Sequence, residues 1–293
     1  MQVLLLTTTD ILAGRTHCFV RMTDSVRASA AWGVPTKVFA LLQRCGESDA
    51  SRYAQLLPEG SAALTSGERL SLSAARNRLL AEMMSGSGDA DCVVGFPDDD
   101  CWYPESFLQQ LVAAFARDQR LDMLVCRVSL EPIEPLWAAH GLRSAKPWQV
   151  VRKSSSNSIF FRKSLIDRLG LFDEALGLGT RNGAGEDTDY ALRAYLYARK
   201  AAFVDLPLVG HRDSDLASVA RYFRGSTLVL SRYALKSPAL FLEYGRKLAV
   251  GAYLAAQARL GARDYLAAVG ASVLELCTSA VGSHRRDNHA PNR

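Results

Sequence analysis

The stretch Cys92-Val93-Val94-Gly95-Phe96-Pro97-Asp98-Asp99-Asp100-Cys101-Trp102-Tyr103-Pro104 constrains this chain most, because three consecutive carboxylates stand directly behind a short apolar run. Cys92 to Phe96 has the pattern of a strand buried on both faces of a parallel sheet. From Tyr103-Pro104 a helix is expected, with Phe107, Leu111 and Phe115 on its buried side. The carboxylates therefore fall at the carboxyl end of a strand, the edge where open α/β sheets bind ligands. Three adjacent ionised Asp side chains repel one another and need solvent or a cation. Asp98 and Asp100 are two apart and can point together while Asp99 points away. Hard oxygen ligands at that spacing suit Mg²⁺ or Mn²⁺, which keep coordination positions for substrate phosphates. In isolation, a solvated turn capping a helix would have the same composition.

The flanks separate these readings. The order apolar strand, Asp-x-Asp, aromatic, Pro, amphipathic helix resembles the Asp-x-Asp segment of family 2 glycosyltransferases with the GT-A fold. A subset of bacterial surface-polysaccharide enzymes is similar even in the wording Phe-Pro-Asp-Asp-Asp-Cys-Trp-Tyr-Pro. The resemblance implies that Asp98 and Asp100 hold a divalent metal bridging the diphosphate of a nucleotide-sugar, with Asp99 in the same donor site.

A chain of 293 residues, 48% of them hydrophobic, can bury one sizeable core or a core plus an appendage. Its six cysteines form no Cys-x-x-Cys pair, so neither a zinc site nor a disulfide framework is expected. The opening Met1-Gln2-Val3-Leu4-Leu5-Leu6 lacks a basic leader, and a cytoplasmic location is expected. From Leu216 onward, 11 Lys and Arg face 4 Asp and Glu, a balance of +7, leaving residues 1–215 at 24 − 26 = −2. A slightly acidic body with a basic, apolar tail fits the inner face of a plasma membrane and excludes a nucleic-acid groove, which needs basic residues around the site.

Val3 to Leu6 reads as the first buried strand and Thr7-Thr8-Thr9-Asp10 as a polar loop at its carboxyl end, placed by that position beside the nucleotide. Ser25 to Trp32 reads as helix and Thr36 to Leu42 as strand, whereas residues 43–66 carry few signals. A helix opens near Leu70, with Ser73 as its cap and Leu79, Leu80 and Met83 buried. The Ala-Arg-Asn in it resembles a family 2 segment lying beside the nucleotide, which implies that role for Arg76 and Asn77; a guanidinium suits phosphate.

Leu121 to Val128 reads as strand. Glu131 to Trp148, with Pro132, Pro135 and Pro147, reads as loop, where Trp137 and Trp148 either stack on an acceptor sugar or pack. Ser154 to Asn157 leads into the strand Ile159-Phe160-Phe161, its polar approach with Asn157 lining the acceptor site, and a helix from Lys163 to Leu169 ends at Gly170.

Four glycines between Gly177 and Gly185 make a mobile loop, after which Glu186 and Asp187 open a helix that ends near Lys200. Gly-Glu-Asp-Thr-Asp followed by Leu192-Arg193 resembles the second signature of the same family. In an inverting transfer the acceptor hydroxyl attacks the anomeric carbon opposite the diphosphate while a base takes its proton, and a metal screens the leaving group. The resemblance makes Asp187 that base, with Glu186 orienting it or binding the acceptor. A carboxylate of ordinary pKa, about 4, is already ionised at pH 7, so its positioning matters most. His211, 24 residues past Asp187, stands where this fold places a His near the metal, with Arg212 as a phosphate contact.

Long helical stretches follow: Ala217 to Leu235, Ala239 to about Leu260, and Ala262 to about Val281. None holds the roughly 20 apolar residues needed to span a bilayer. Their apolar faces, rimmed by Arg221, Arg224, Arg232, Lys236, Arg246 and Lys247, lie on the protein's own core, on a partner such as a second copy, or on a membrane interface.

The expected architecture is a GT-A-like, Rossmann-like α/β/α sandwich with a mostly parallel central sheet over residues 1–215, the donor half being about 1–104 and the acceptor half 105–215, plus a helical, basic amphipathic region over 216–293. The resemblance implies an inverting, metal-dependent glycosyltransferase of hexosyl-transfer type. Its donor would be a UDP-, GDP- or dTDP-sugar and its acceptor a surface glycan, lipid-linked, in polysaccharide biosynthesis. A nucleotidyltransferase of related fold and a non-catalytic membrane-associated assembly factor are the alternatives; Thr7 to Arg15 poorly matches the Gly-rich basic loop of the first, and intact Asp98, Asp100 and Asp187 argue against the second.

Overall fold

The computed structural model describes residues 1–85, 91–134, 142–212 and 219–287. They form two compact units, Met1–Glu174 with Tyr190–Asp213, and Ala175–Asp189 with Ser214–Arg293.

The first unit is built on one eight-stranded sheet. In chain order its strands are β1 (Gln2–Asp10), β2 (Thr36–Gln43), β3 (Ala62–Ser66), β4 (Cys92–Gly95), β5 (Leu121–Ser129), β6 (Arg143–Ser144), β7 (Ile159–Arg162) and β8 (Lys200–Gly210). Their spatial order is β3-β2-β1-β4-β7-β5-β8-β6. The ladders β1–β2, β1–β4, β2–β3 and β5–β8 are parallel, whereas β7, between β4 and β5, and β6 at the edge run antiparallel to their neighbours. The carboxyl ends of β1, β2, β4, β5 and β8 therefore share one edge.

Helices cover both faces, which is why the central strands are continuously apolar. Val3 and Leu5 pack with Phe19, Met22 and Val26 of α1 (Thr16–Ala30) and with Phe107, Leu111 and Phe115 of α4 (Phe107–Arg117). Leu4 and Leu6 point to the opposite face by strand alternation, where α3 (Leu72–Ser85) packs on β1 and β2. At the end of β4 an aromatic cluster follows: Phe172 stacks on Tyr190 at 4.0 Å and meets Phe96 at 5.1 Å. It packs around Phe96, two residues before the carboxylates begin.

Several local expectations change. Thr7 to Asp10 continue β1, paired residue by residue with Ala40 to Gln43, because β-branched threonines fit a pleated ladder. Ser73 lies inside α3 and is buried; Ser71 stands before the helix and accepts from Ala74 N at 3.3 Å. Lys200 opens β8 instead of closing α7 (Glu186–Tyr197). Residues 43–66 contain the short α2 (Glu47–Ala54) and the edge strand β3, Trp148 sits on α5 (Pro147–Lys153), and α6 (Lys163–Leu169) follows β7.

Asp122 of β5 ties the opposite, amino-terminal end of the sheet together. Its fully buried carboxylate takes Arg199 through both oxygens, the closest contact at 2.6 Å, with Arg168 at 3.4 Å and Arg162 at 3.9 Å. Burial disfavours its charge, but the Arg199 hydrogen bonds and nearby cations outweigh that, and its pKa is lowered. Asp122→Ala removes an acceptor shared by half-exposed Arg199 and Arg168 and by buried Arg162, which keeps the Leu121 and Phe115 carbonyls, and is expected to destabilise the protein by about 1–3 kcal/mol. Asp167→Ala, which removes an exposed helical pair with Lys163, should cost less than about 1 kcal/mol. Urea-unfolding midpoints test the contrast, and equal shifts would refute it.

In the second unit, α8 (Val219–Tyr233), α9 (Pro238–Ala256) and α10 (Ala262–Asp287) pack on one another. Pro238 occupies the first turn of α9, and Ser237 caps it by accepting from Leu240 N at 3.2 Å. The ring of Phe223 on α8 fills the space over Gly251 of α9, and Tyr244 of α9 meets Ser272 of α10 at 2.8 Å. The glycine-rich loop belongs here as well. Gly225 has no room for a Cβ against the Ala184 carbonyl, and Gly185 opposite adopts φ +101°. Among the described residues no helix is long and apolar enough to cross a membrane.

Candidate active site

The three carboxylates emerge from β4 with different partners. Asp98 is held from below by Asn157, whose amide oxygen accepts from Asp98 N at 2.6 Å and whose amide nitrogen donates to Asp98 Oδ2 at 2.9 Å. Arg76, almost fully buried on α3, reaches Asp98 Oδ1 at 3.3 Å. Asp99 turns away, accepting from Thr9 Oγ1 at 2.6 Å and pairing with Arg15 at 2.6 Å. Burial pushes the Asp99 carboxyl up to about 6, even though Thr9 and Arg15 favour its charge.

Asp100 points back toward Asp98 and meets the end of β8. A two-residue bridge joins Trp102 to Gly210, where a Cβ would collide with the indole ring. That bridge brings His211 Nε2 to 3.3 Å from Asp100 Oδ1 and 3.8 Å from Asp98 Oδ2. Arg15 and Arg212 lie 2.7 and 2.6 Å from Asp100 Oδ2, without the alignment of a hydrogen bond. Burial disfavours the Asp100 charge, but His211, Arg15 and Arg212 outweigh it and its pKa is lowered. Burial likewise opposes a charged His211, whereas Asp100 and Asp98 raise its pKa.

Ligand atoms of Asp98, Asp100 and His211 all lie within 4.8 Å of one another. Donors about 2.1 Å from an octahedral ion are separated by about 3.0 Å when adjacent and about 4.2 Å when opposite. The observed 3.3 and 3.8 Å fall in that interval. Two carboxylate oxygens with one imidazole nitrogen form a donor set that Mn²⁺ accepts readily and Mg²⁺ less so. The residues present therefore fit a single divalent ion. Arg212, 64% exposed, leaves a cation beside it for an anionic ligand.

Other expected residues take varied places. Thr8 accepts from Gln43 at 2.7 Å and donates to the Leu41 carbonyl at 3.2 Å, while buried Thr7 has no hydrogen-bond partner for its hydroxyl among the described residues. Asn77 clamps a loop: it donates to Phe172 O at 3.1 Å and Glu174 at 2.9 Å and accepts from Phe172 N at 2.8 Å. Asn157, expected on the acceptor side, is buried and positions Asp98. Trp148 is partly exposed beneath Arg152, and Trp137 lies outside the described residues. Glu186 and Asp187 open α7 in the second unit, where acids favour the helix dipole. Asp189 in the same turn accepts from Tyr233 at 2.8 Å, anchoring that turn to α8. Arg15 was not foreseen; its one local signal is a cation at the helix start that faces the loop after β1.

No protein-family model and no curated protein matches the sequence. Solved structures do. Residues 1–349 of TarS from S. aureus superpose with a TM-score of 0.58 at 15% identity, covering 85% of this chain and 68% of that one. A longer TarS structure gives 0.57 at 14% identity, and this chain spans 42% of it. A mannosyltransferase from Pyrobaculum calidifontis, in complex with GDP-Man and Mn²⁺, gives 0.56 at 15% identity, covering 96% of this chain and 86% of that one.

The fold is GT-A-like. In such a sheet the Asp98–Asp100–His211 cluster stands at the carboxyl ends of β4 and β8, the edge where α/β sheets take ligands.

Proposed function

We propose that this protein is a metal-dependent glycosyltransferase that moves a hexosyl group, with inversion, from a nucleotide-sugar to a glycan acceptor on a lipid carrier. The observation that carries the reading is the Asp98, Asp100 and His211 donor set. It is supported by the similarity of the fold to a mannosyltransferase that binds GDP-Man with Mn²⁺. Bound there, a divalent ion would neutralise charge on the diphosphate leaving group.

The chain's own residues supply the rest. Asn157 and Arg76 fix the Asp98 carboxylate, so that its oxygens need little reorganisation on binding. Arg212, and Arg15 once freed from Asp100, offer donors to phosphate oxygens. Thr7, Thr8 and Thr9 line the nucleotide end of β1. Asp187 is the base that takes the acceptor proton, with Glu186 orienting it, and their positioning governs the rate.

Calorimetric titration with UDP, GDP, dTDP and CMP, each with Mn²⁺ and again with EDTA, tests the reading. One nucleoside diphosphate is expected to bind with Mn²⁺ and to lose at least about 100-fold in affinity with EDTA. If none binds, the transferase reading fails and the non-catalytic assembly factor replaces it.

A further inference from the structure

Past their first turns, the described parts of helices α9 and α10 turn their charges inward. The charged residues of α9 are Glu243, Arg246 and Lys247. Glu243 is buried and pairs with Arg246 at 3.0 Å, and the Lys247 ammonium lies 5.6 Å from the centre of the Phe223 ring on α8. On α10, Glu275 takes Arg232 of α8 at 2.8 Å. The basic rim expected at Arg232, Arg246 and Lys247 is thus turned into the unit's own helix contacts.

The outward faces are uncharged instead. On α9, Leu242 is 72% and Tyr253 62% exposed, with Phe241 beside them. On α10, Leu266 is 66% and Leu274 68% exposed, with Val273 beside them. Between Asp264 and Arg285, α10 has one charged residue, Glu275, and it is the one held by Arg232. A surface helix ordinarily presents its polar side to water, and an apolar surface spread over two helices marks a contact with something else.

Charge selects the occupant. Exposed Lys236 stands just before α9, and exposed Arg259 and Arg263 stand at the turn into α10, so basic residues lie at the ends of the apolar faces. A second copy docked face to face would set these cations, and the +7 of residues 216–293, against their like. An anionic lipid surface complements them. The helices cannot cross a bilayer, so they would lie in its interface.

We propose that the outward faces of α9 and α10 dock into an anionic lipid surface, with Phe241, Leu242, Leu266 and Leu274 entering the acyl boundary and Lys236, Arg259 and Arg263 meeting the headgroups. Docking is a property of the second unit and does not depend on the transferase reading.

The test uses the full chain with phosphatidylcholine vesicles, with and without phosphatidylglycerol. The protein should float only with the phosphatidylglycerol vesicles. An environment-sensitive dye on exposed Cys277, in a Cys18→Ser background that removes the other partly accessible thiol, should shift to the blue when they are added. Leu266→Glu combined with Leu274→Glu, both at solvent-facing positions, should lower partitioning by at least about tenfold. Arg259→Gln with Arg263→Gln should lower it about 30-fold, each basic side chain contributing a factor of roughly 5. Failure to float, or flotation that either pair leaves unchanged, overturns the proposal. So does a dimer in sedimentation that the Leu266 and Leu274 changes split while vesicle binding is absent; the face would then belong to a second copy.

Discussion

Asp98→Ala and Asp100→Ala should each lower Mn²⁺-dependent binding of the nucleoside diphosphate by well over 100-fold. Loss of an outer-shell partner costs roughly 10–100-fold in metal affinity, and these changes remove a proposed ligand itself. The fold should survive. Each substitution takes a negative charge out of a cluster of three adjacent carboxylates, two of which are nearly buried. Arg15 keeps Asp99 as a partner when Asp100 is removed. Mn²⁺ with nucleotide should raise the thermal midpoint of the wild type by mass action, and that rise should vanish in both variants, each measured against its own midpoint in EDTA. Asp99→Asn is the control. Its side chain faces Thr9 and Arg15, so its loss should stay within the outer-shell range of about 10–100-fold. If Asp99→Asn matched the other two, the metal assignment to Asp98 and Asp100 would be wrong.

The second large effect is kinetic. Asp187→Asn preserves size and removes the basic oxygen, so transfer should fall by about 10²–10⁴-fold, the usual contribution of a positioned general base. Nucleotide affinity with Mn²⁺ should change little, because the proposed base would act on the acceptor. Rates come from single-turnover transfer once the donor class is known, and affinity from calorimetry on the same preparation. A loss of nucleotide affinity equal to that in Asp98→Ala would remove the base assignment. Asp189→Asn separates chemistry from support: Asp189 accepts from Tyr233, and its loss should loosen the first turn of α7 and lower the melting temperature.

Much of the fold was legible because its signals are local. A wholly apolar run ending in polar residues marks a strand covered on both faces, and β1, β2, β4, β5 and β7 lie close to where such runs occur. Asp98 and Asp100 were visible because the carboxyl end of a strand can be read from the chain. Threonines at the end of β1 misled because polarity there reads as loop, although β-branching suits the ladder that β2 completes. Ser73 misled for a similar reason, since two serines near a helix start offer two caps and packing chose Ser71.

The residues by themselves determined an α/β sheet with acidic groups at its ligand-binding edge, followed by three helices, because strand and helix periodicity and the placement of charge are properties of neighbouring residues. The tertiary structure decided which distant groups meet. Asn157 comes under Asp98 across 59 residues, and His211 closes the donor set only through the bridge between Trp102 and Gly210. It also decided which way the last helices face. Arg246 was expected on the basic rim of an apolar face, yet it pairs with buried Glu243 on the inner side of α9 and leaves leucines outward. Hydropathy reports how polar a helix is along its length, whereas the partner each side chain finds depends on the packing of helices far apart in the chain.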